Sequence, residues 1–146
     1  DYGVGVIFFA NATYAPTSFI NGLVLDSLVQ LAQLTPRQLP PSAILTQRRD
    51  ELIQLLPDFS KAKSKAIFAV NFFSDYYIDD LSASVKDAMQ QAGRITRVDA
   101  MVPENQLRGY CILHGEKANL RMRFTLTPEN PAMIQSFQLT VIPGKK

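Results

Sequence analysis

The sequence predicts an α+β fold in which helices come first and a curved four-stranded antiparallel sheet follows. Two observations lead to this class. Residues 94–142 contain short segments that alternate apolar and polar side chains, whereas the residues before them carry apolar side chains at helical spacing. The connections between the alternating segments are short enough to require antiparallel neighbours. A sheet with one polar face also needs helices on its other face.

The first segment of the chain is almost free of charge. An apolar run predicts a strand over 4–10, and a leucine-rich run predicts a helix over 19–34 that is apolar around most of its circumference. Asp26 is the only acidic or basic residue between positions 2 and 36. Because such a helix needs burial on several sides, we expect this segment to drive homo-oligomer formation.

A proline-rich stretch, residues 35–42, follows and has the composition of an interdomain linker. We therefore predict two parts, residues 1–41 and residues 42–146. The chain opens without Met and without the basic flank of a signal peptide. We expect it to be a processed product or an excised fragment.

Helical patterns occupy the region after the linker. The first helix is predicted to be capped by Ser42 or Thr46 and stopped by Pro57. A second is predicted over 60–73. The third carries one apolar stripe and has the strongest helical pattern in the chain. It begins at residue 79 or 80 and ends at Gly93, because glycine readily adopts a positive φ.

The sheet is predicted as a meander. Its four strands are expected over 95–102, 107–113, 120–126 and 137–141. The connections carry the turn-forming residues of 103–105, 114–117 and 128–131. The strongest pattern is that of 120–126, where apolar side chains alternate with two arginines and a threonine.

Composition excludes several functional classes. The net charge of +2 comes from 15 basic and 13 acidic residues, too small an excess to predict a nucleic-acid partner. No apolar run is long enough for a transmembrane segment. Cys111 is the single cysteine and His114 the single histidine, so neither an internal disulfide nor a cysteine or histidine cluster for a metal is expected. We predict no cofactor.

No catalytic residue is predicted. Ser60 stands three positions before Lys63, the spacing of a serine that a lysine activates. However, Lys61, Lys63 and Lys65 together are typical of a solvated helix start. Cys111 is expected to be a small buried apolar residue, and His114 an exposed histidine in a turn.

Three stretches, 68–75, 121–129 and 134–139, resemble the accessory domain of bacterial serine hydrolases of the β-lactamase and penicillin-binding superfamily. That domain has a nuclear-transport-factor-two-like, or cystatin-like, cone fold. Residues 2–11 and the apolar helix that follows resemble the last core strand and closing helix of the hydrolase domain itself.

The resemblance implies a non-catalytic C-terminal accessory or regulatory domain from which the nucleophile and base motifs of the parent enzyme are missing. Its partner would be the hydrolase domain of the parent protein. A periplasmic or secreted location is implied in the same way.

Cone folds often enclose a pocket, and this leads to an alternative prediction. A stand-alone small-molecule-binding or isomerase-like domain would place a carboxylate base and a tyrosine inside the pocket. The candidates are Asp99 and Tyr110 on adjacent strands, with Tyr76 or Tyr77 at the rim.

A third class is an interaction module. Arg121 and Arg123 share one face of a strand, and Arg97 and Arg108 are predicted on the same face of neighbouring strands. Such a face is either simply solvated or a docking surface for a catalytic domain or an anionic cell-wall polymer.

Overall fold

The computed structural model describes residues 2–36 and 40–142. The chain divides between Leu39 and Pro40 into two compact units. The described residues of the first unit, 2–36, contain one helix, α1 (Thr17–Leu31), close to the helix predicted there. The strand predicted over 4–10 is wrong: no residue of the described chain pairs with this run. An isolated strand leaves its backbone hydrogen bonds unmade, so composition alone does not produce one.

The second unit begins with α2 (Ala43–Leu55), and Ser42 is its N-cap. Pro57 lies just past the end of α2, and the chain continues as a 3₁₀ helix (Leu56–Ser64). The helix predicted over 60–73 is wrong. Its central residues are extended, because the backbone of Ile134 donates to the Ile67 carbonyl and accepts from the Ala69 amide.

Two helices complete the helical layer. They are the short α3 (Phe72–Asp75) and the long α4 (Ile78–Ala92). Gly93 ends α4 with a φ of 73°, as the sequence predicts. No helix among the described residues has the length and apolar composition needed to cross a bilayer.

The sheet is antiparallel, and the predicted α+β class is confirmed. The strands are β1 (Ile95–Val98), β2 (Val102–Asn105), β3 (Arg108–Gly115), β4 (Asn119–Leu126) and β5 (Ile134–Ile142). Their order is β1-β3-β4-β5, and β2 pairs with β3 beside β1. The sheet is open, with β1 and β2 along one edge and β5 along the other.

The described residues thus form five strands, one more than predicted. The run 95–102 is broken after Val98, and 103–105 belong to β2 instead of a turn. Pro103 is tolerated because β2 is an edge strand, where one side of the backbone needs no partner. The tight turn lies after Asn105, whose side-chain oxygen accepts from the Leu107 amide at 2.9 Å.

The core lies between the helices and one face of the sheet. Phe124 and Phe137 face each other on β4 and β5, and the ring of Phe59 stacks on Phe137 at 5.0 Å. Phe72 from α3 packs on Phe68 at 4.7 Å. The opposite face of the sheet has no helix of this unit over it and carries the polar side chains of β3 and β4.

Candidate functional site

The polar face of the sheet is the candidate site, and we call it the open face. It carries side chains that alternate with buried ones along β3 and β4, together with residues from β1, β2 and the loop between them. Its members are Arg97, Asp99, Glu104, Arg108, Tyr110, His114, Arg121 and Arg123. All four arginines that the sequence places on one face lie on this surface.

Glu104 joins two of these arginines. Its carboxylate accepts from Nε and Nη2 of Arg123, each at 2.8 Å, in a two-pronged ion pair. The Nε atom of Arg108 lies 2.7 Å from Glu104 Oε2 but lacks the direction of a hydrogen bond. The hydrogen bond from Arg123, aided by the charge of Arg108, holds the pKa of Glu104 below its usual value.

A second cluster lies at the other end of β3. Nε2 of His114 is 2.9 Å from Asp99 Oδ2 and 2.7 Å from Arg97 Nη2. One ring nitrogen cannot donate to the carboxylate and accept from the guanidinium at once, so only one of these hydrogen bonds is present at a time. The hydrogen bond with His114 is the main reason that the pKa of Asp99 is lowered. His114 is therefore a partly buried residue of β3, and its prediction as an exposed turn residue is wrong.

Arg121 differs from the other three arginines. Its guanidinium lies over the ring of Tyr110, 4.0 Å from the centroid, in a cation–π contact. No carboxylate in residues 2–36 or 40–142 is within ion-pair distance of it. The side chain is exposed, so its charge faces solvent.

The open face thus has an excess of positive charge. It carries the four guanidinium groups of Arg97, Arg108, Arg121 and Arg123 but only the two carboxylates of Asp99 and Glu104. Guanidinium groups bind carboxylates and phosphates through paired N–H donors, so the arrangement is suited to an anionic partner.

The four residues proposed for a pocket are not brought together. Asp99 contacts His114, whereas Tyr110 contacts Arg121. The ring of Tyr76 stacks on Phe72 at 4.7 Å, on the helical side of the sheet, and Tyr77 is 74% exposed. Asp99 and Tyr110 share the open face, where the aqueous surroundings do not tune a carboxylate toward proton abstraction.

The candidate nucleophiles lie in settings that do not activate them. The hydroxyl of Ser60 donates to Asp58 at 2.6 Å, and Lys61 pairs with the same carboxylate at 2.9 Å. Cys111 is fully buried, and burial raises the pKa of its thiol to about 11. No group of three potential metal ligands is present in the part of the chain that the structure describes.

One feature was not predicted from the sequence. A cavity of about 480 Å³ lies between the end of α2, the 3₁₀ helix and the chain that follows it. Its wall includes Glu51, Leu55, Lys65 and Ile67. No sequence pattern predicts the cavity, because its wall residues come from both sides of the break in helical backbone at Asp58.

No protein-family model matches the chain, and neither a curated protein nor a solved structure is significantly similar to it.

Proposed function

We propose that this protein is a non-catalytic accessory or regulatory domain, and that its open face docks on the catalytic domain of a β-lactamase-like serine hydrolase. The observation that carries the proposal is the excess of guanidinium groups on one sheet face. The resemblance of the stretches 68–75, 121–129 and 134–139 to the accessory domains of such hydrolases supports the choice of partner.

The arginines divide into two roles. Arg123 and Arg108 are engaged by Glu104, which fixes their position and uses part of their charge. Arg121 is held by the Tyr110 ring, so it is oriented without being neutralised. A partner carboxylate can bind Arg121 without first breaking an ion pair of this surface.

The partner surface is expected to be acidic. Complementary charge at an exposed surface accelerates association and makes affinity depend on salt. Docking should therefore weaken as ionic strength rises. A purely apolar contact would behave differently, because salt does not screen it.

The test is the affinity of the full chain for the parent hydrolase domain, measured by biolayer interferometry. Arg121→Glu reverses the free charge and leaves the Glu104 cluster intact, so we expect the Kd to rise at least about tenfold. Lys86→Glu is the matched control, since it makes the same charge change at an exposed position of α4. Equal affinities for wild type and Arg121→Glu would contradict the proposal.

A second candidate function is small-molecule binding, which the cavity beside α2 favours. Its volume of about 480 Å³ is that of a small-ligand site, and Lys65 and Glu51 place opposite charges on its wall. Gln54 also lines the cavity. A compound that raises the Tm of the wild type, but not that of Gln54→Trp, whose larger side chain occupies part of the cavity, would support this function. Equal shifts in both proteins would contradict it.

A further inference from the structure

The two edges of the sheet differ in how well they are protected from pairing. One edge consists of β1 and β2, which are four residues each, carry Arg97 and Pro103, and are both irregular in register. Short strands, proline, charge and bulges are the usual devices that prevent an edge from pairing with another chain.

The β5 edge has such a device only at its start, where the register with β4 is irregular between Ile134 and Ser136. Ile134 is paired on its outer side with the chain at Phe68. From Gln135 to Ile142, no described residue pairs with the outer side of β5, and this run contains no charged residue, proline or glycine. It is a long, neutral strand with a free edge.

The hydrogen-bond pattern shows which backbone groups face outward. The Gly115 amide bonds to the Ala118 carbonyl, and the Leu126 amide bonds to the Leu107 carbonyl. These two bonds show that Ala118, just before β4, and Leu126 direct their backbone groups toward β3. Because this direction alternates from residue to residue along a strand, Arg121 and Arg123 direct their backbone groups toward β5. The backbone amides and carbonyls of their partners on β5, Thr140 and Gln138, consequently point toward β4. The outward groups are those of Phe137, Leu139 and Val141.

These outward groups complement a second copy of the same strand. In the antiparallel register that sets Leu139 opposite Leu139 of the copy, Phe137 lies opposite Val141, and Gln138 lies opposite Thr140. Every outward amide then finds a carbonyl. Apolar residues meet on the helix-covered face, polar residues meet on the open face, and no like charges are directly opposed.

We infer that two copies of this chain pair through the outer edge of β5 in this register. The resulting two-fold axis is perpendicular to the sheet, so the open faces of both copies lie on the same side of one continuous sheet. This contact is made by the backbone edge of β5, whereas the proposed docking residues lie on β1 to β4, so the inference does not depend on the docking proposal.

Analytical ultracentrifugation of the full chain tests the inference with a double variant, Gln138→Glu/Thr140→Glu. Within one copy, the new carboxylates lie across from Arg123 and Arg121, so the monomer should fold. Across the dimer, each new carboxylate faces another, so we expect the dimer Kd to rise at least about tenfold. Ser84→Glu/Gln90→Glu, at two exposed positions of α4, is the matched control and should dimerise as the wild type does.

A mixing experiment fixes the register. The register predicts that Gln138→Glu/Thr140→Glu and Gln138→Lys/Thr140→Lys, each weakened alone, form a heterodimer when mixed, since each carboxylate then faces an ammonium group. Circular dichroism establishes that each variant is folded. A wild type that stays monomeric at about millimolar concentration would overturn the inference. So would a glutamate variant that associates as strongly as the wild type.

Discussion

Glu104 organises one half of the open face through its contacts with Arg123 and Arg108. The sequence places it in a turn, because Pro103, Glu104 and Asn105 have the composition of one. The arginines were predictable, since period-two alternation fixes which face a strand residue occupies. Their carboxylate partner was not, because its position depends on β2 pairing with β3.

Replacing Glu104 with glutamine should lower the free energy of unfolding by roughly 1 kcal/mol at neutral pH, because the two-pronged pair with Arg123 is lost. The folded-state pKa of Glu104 lies below its unfolded value. Its stabilising contribution is therefore full above the unfolded pKa and is lost as pH falls through the folded pKa.

Urea unfolding of wild type and Glu104→Gln across a pH series measures this difference. The free energies of unfolding of the two proteins should become equal at pH values below the usual range of a glutamate pKa, where the Glu104 carboxylate of the wild type is protonated. A difference that stays constant from neutral to strongly acidic pH would show that the carboxylate charge is not the cause. Glu129→Gln, on a charged residue of the loop before β5, is the control and should show little effect at any pH.

At the scale of elements, local signals predicted α2 and α4 well. Ser42 caps α2, and its hydroxyl accepts from the Leu45 amide at 3.3 Å. The segment 60–73 was predicted wrongly because a distant contact overrides its helical pattern. The Ile134 backbone at the start of β5 holds this segment extended at Phe68, and a local pattern cannot contain that contact.

The Ser42 side chain also connects α2 to the sheet, since its hydroxyl donates to the Gln106 carbonyl at 2.6 Å. Ser42→Ala removes both hydrogen bonds, and we expect the free energy of unfolding to fall by about 1 kcal/mol. Ser84→Ala, at an exposed position of α4, is the control and should leave the free energy of unfolding unchanged or raise it slightly. Equal stabilities for Ser42→Ala and the wild type, by thermal or urea unfolding, would show that the cap contributes nothing.

At the scale of the whole molecule, the core belongs to one unit. Every buried apolar side chain of the described residues lies between Leu45 and Phe137, and none lies in α1. Phe19 and Leu31 of α1 are 65% and 86% exposed. The apolar composition of the first unit was evident from the sequence. That this apolar segment is buried by homo-oligomer formation stays a prediction.

Deleting residues 1–39 should leave the unfolding free energy of the remainder unchanged within roughly 1 kcal/mol, because that part contains the whole described core. The deletion should also remove any self-association that depends on the apolar segment and leave the β5 contact intact. Urea unfolding and sedimentation velocity measure the two effects. An unfolded deletion variant would show that the second unit requires the first.

The open face is the proposed binding surface of this protein. The most direct test is an NMR titration of the isotope-labelled full chain with the unlabelled parent hydrolase domain. We predict amide shift changes at Arg97, along β3 and along β4, centred on Tyr110 and Arg121. Amide shift changes confined to the cavity residues Glu51 and Lys65 would contradict this prediction. So would the absence of shift changes at a near-millimolar concentration of the hydrolase domain.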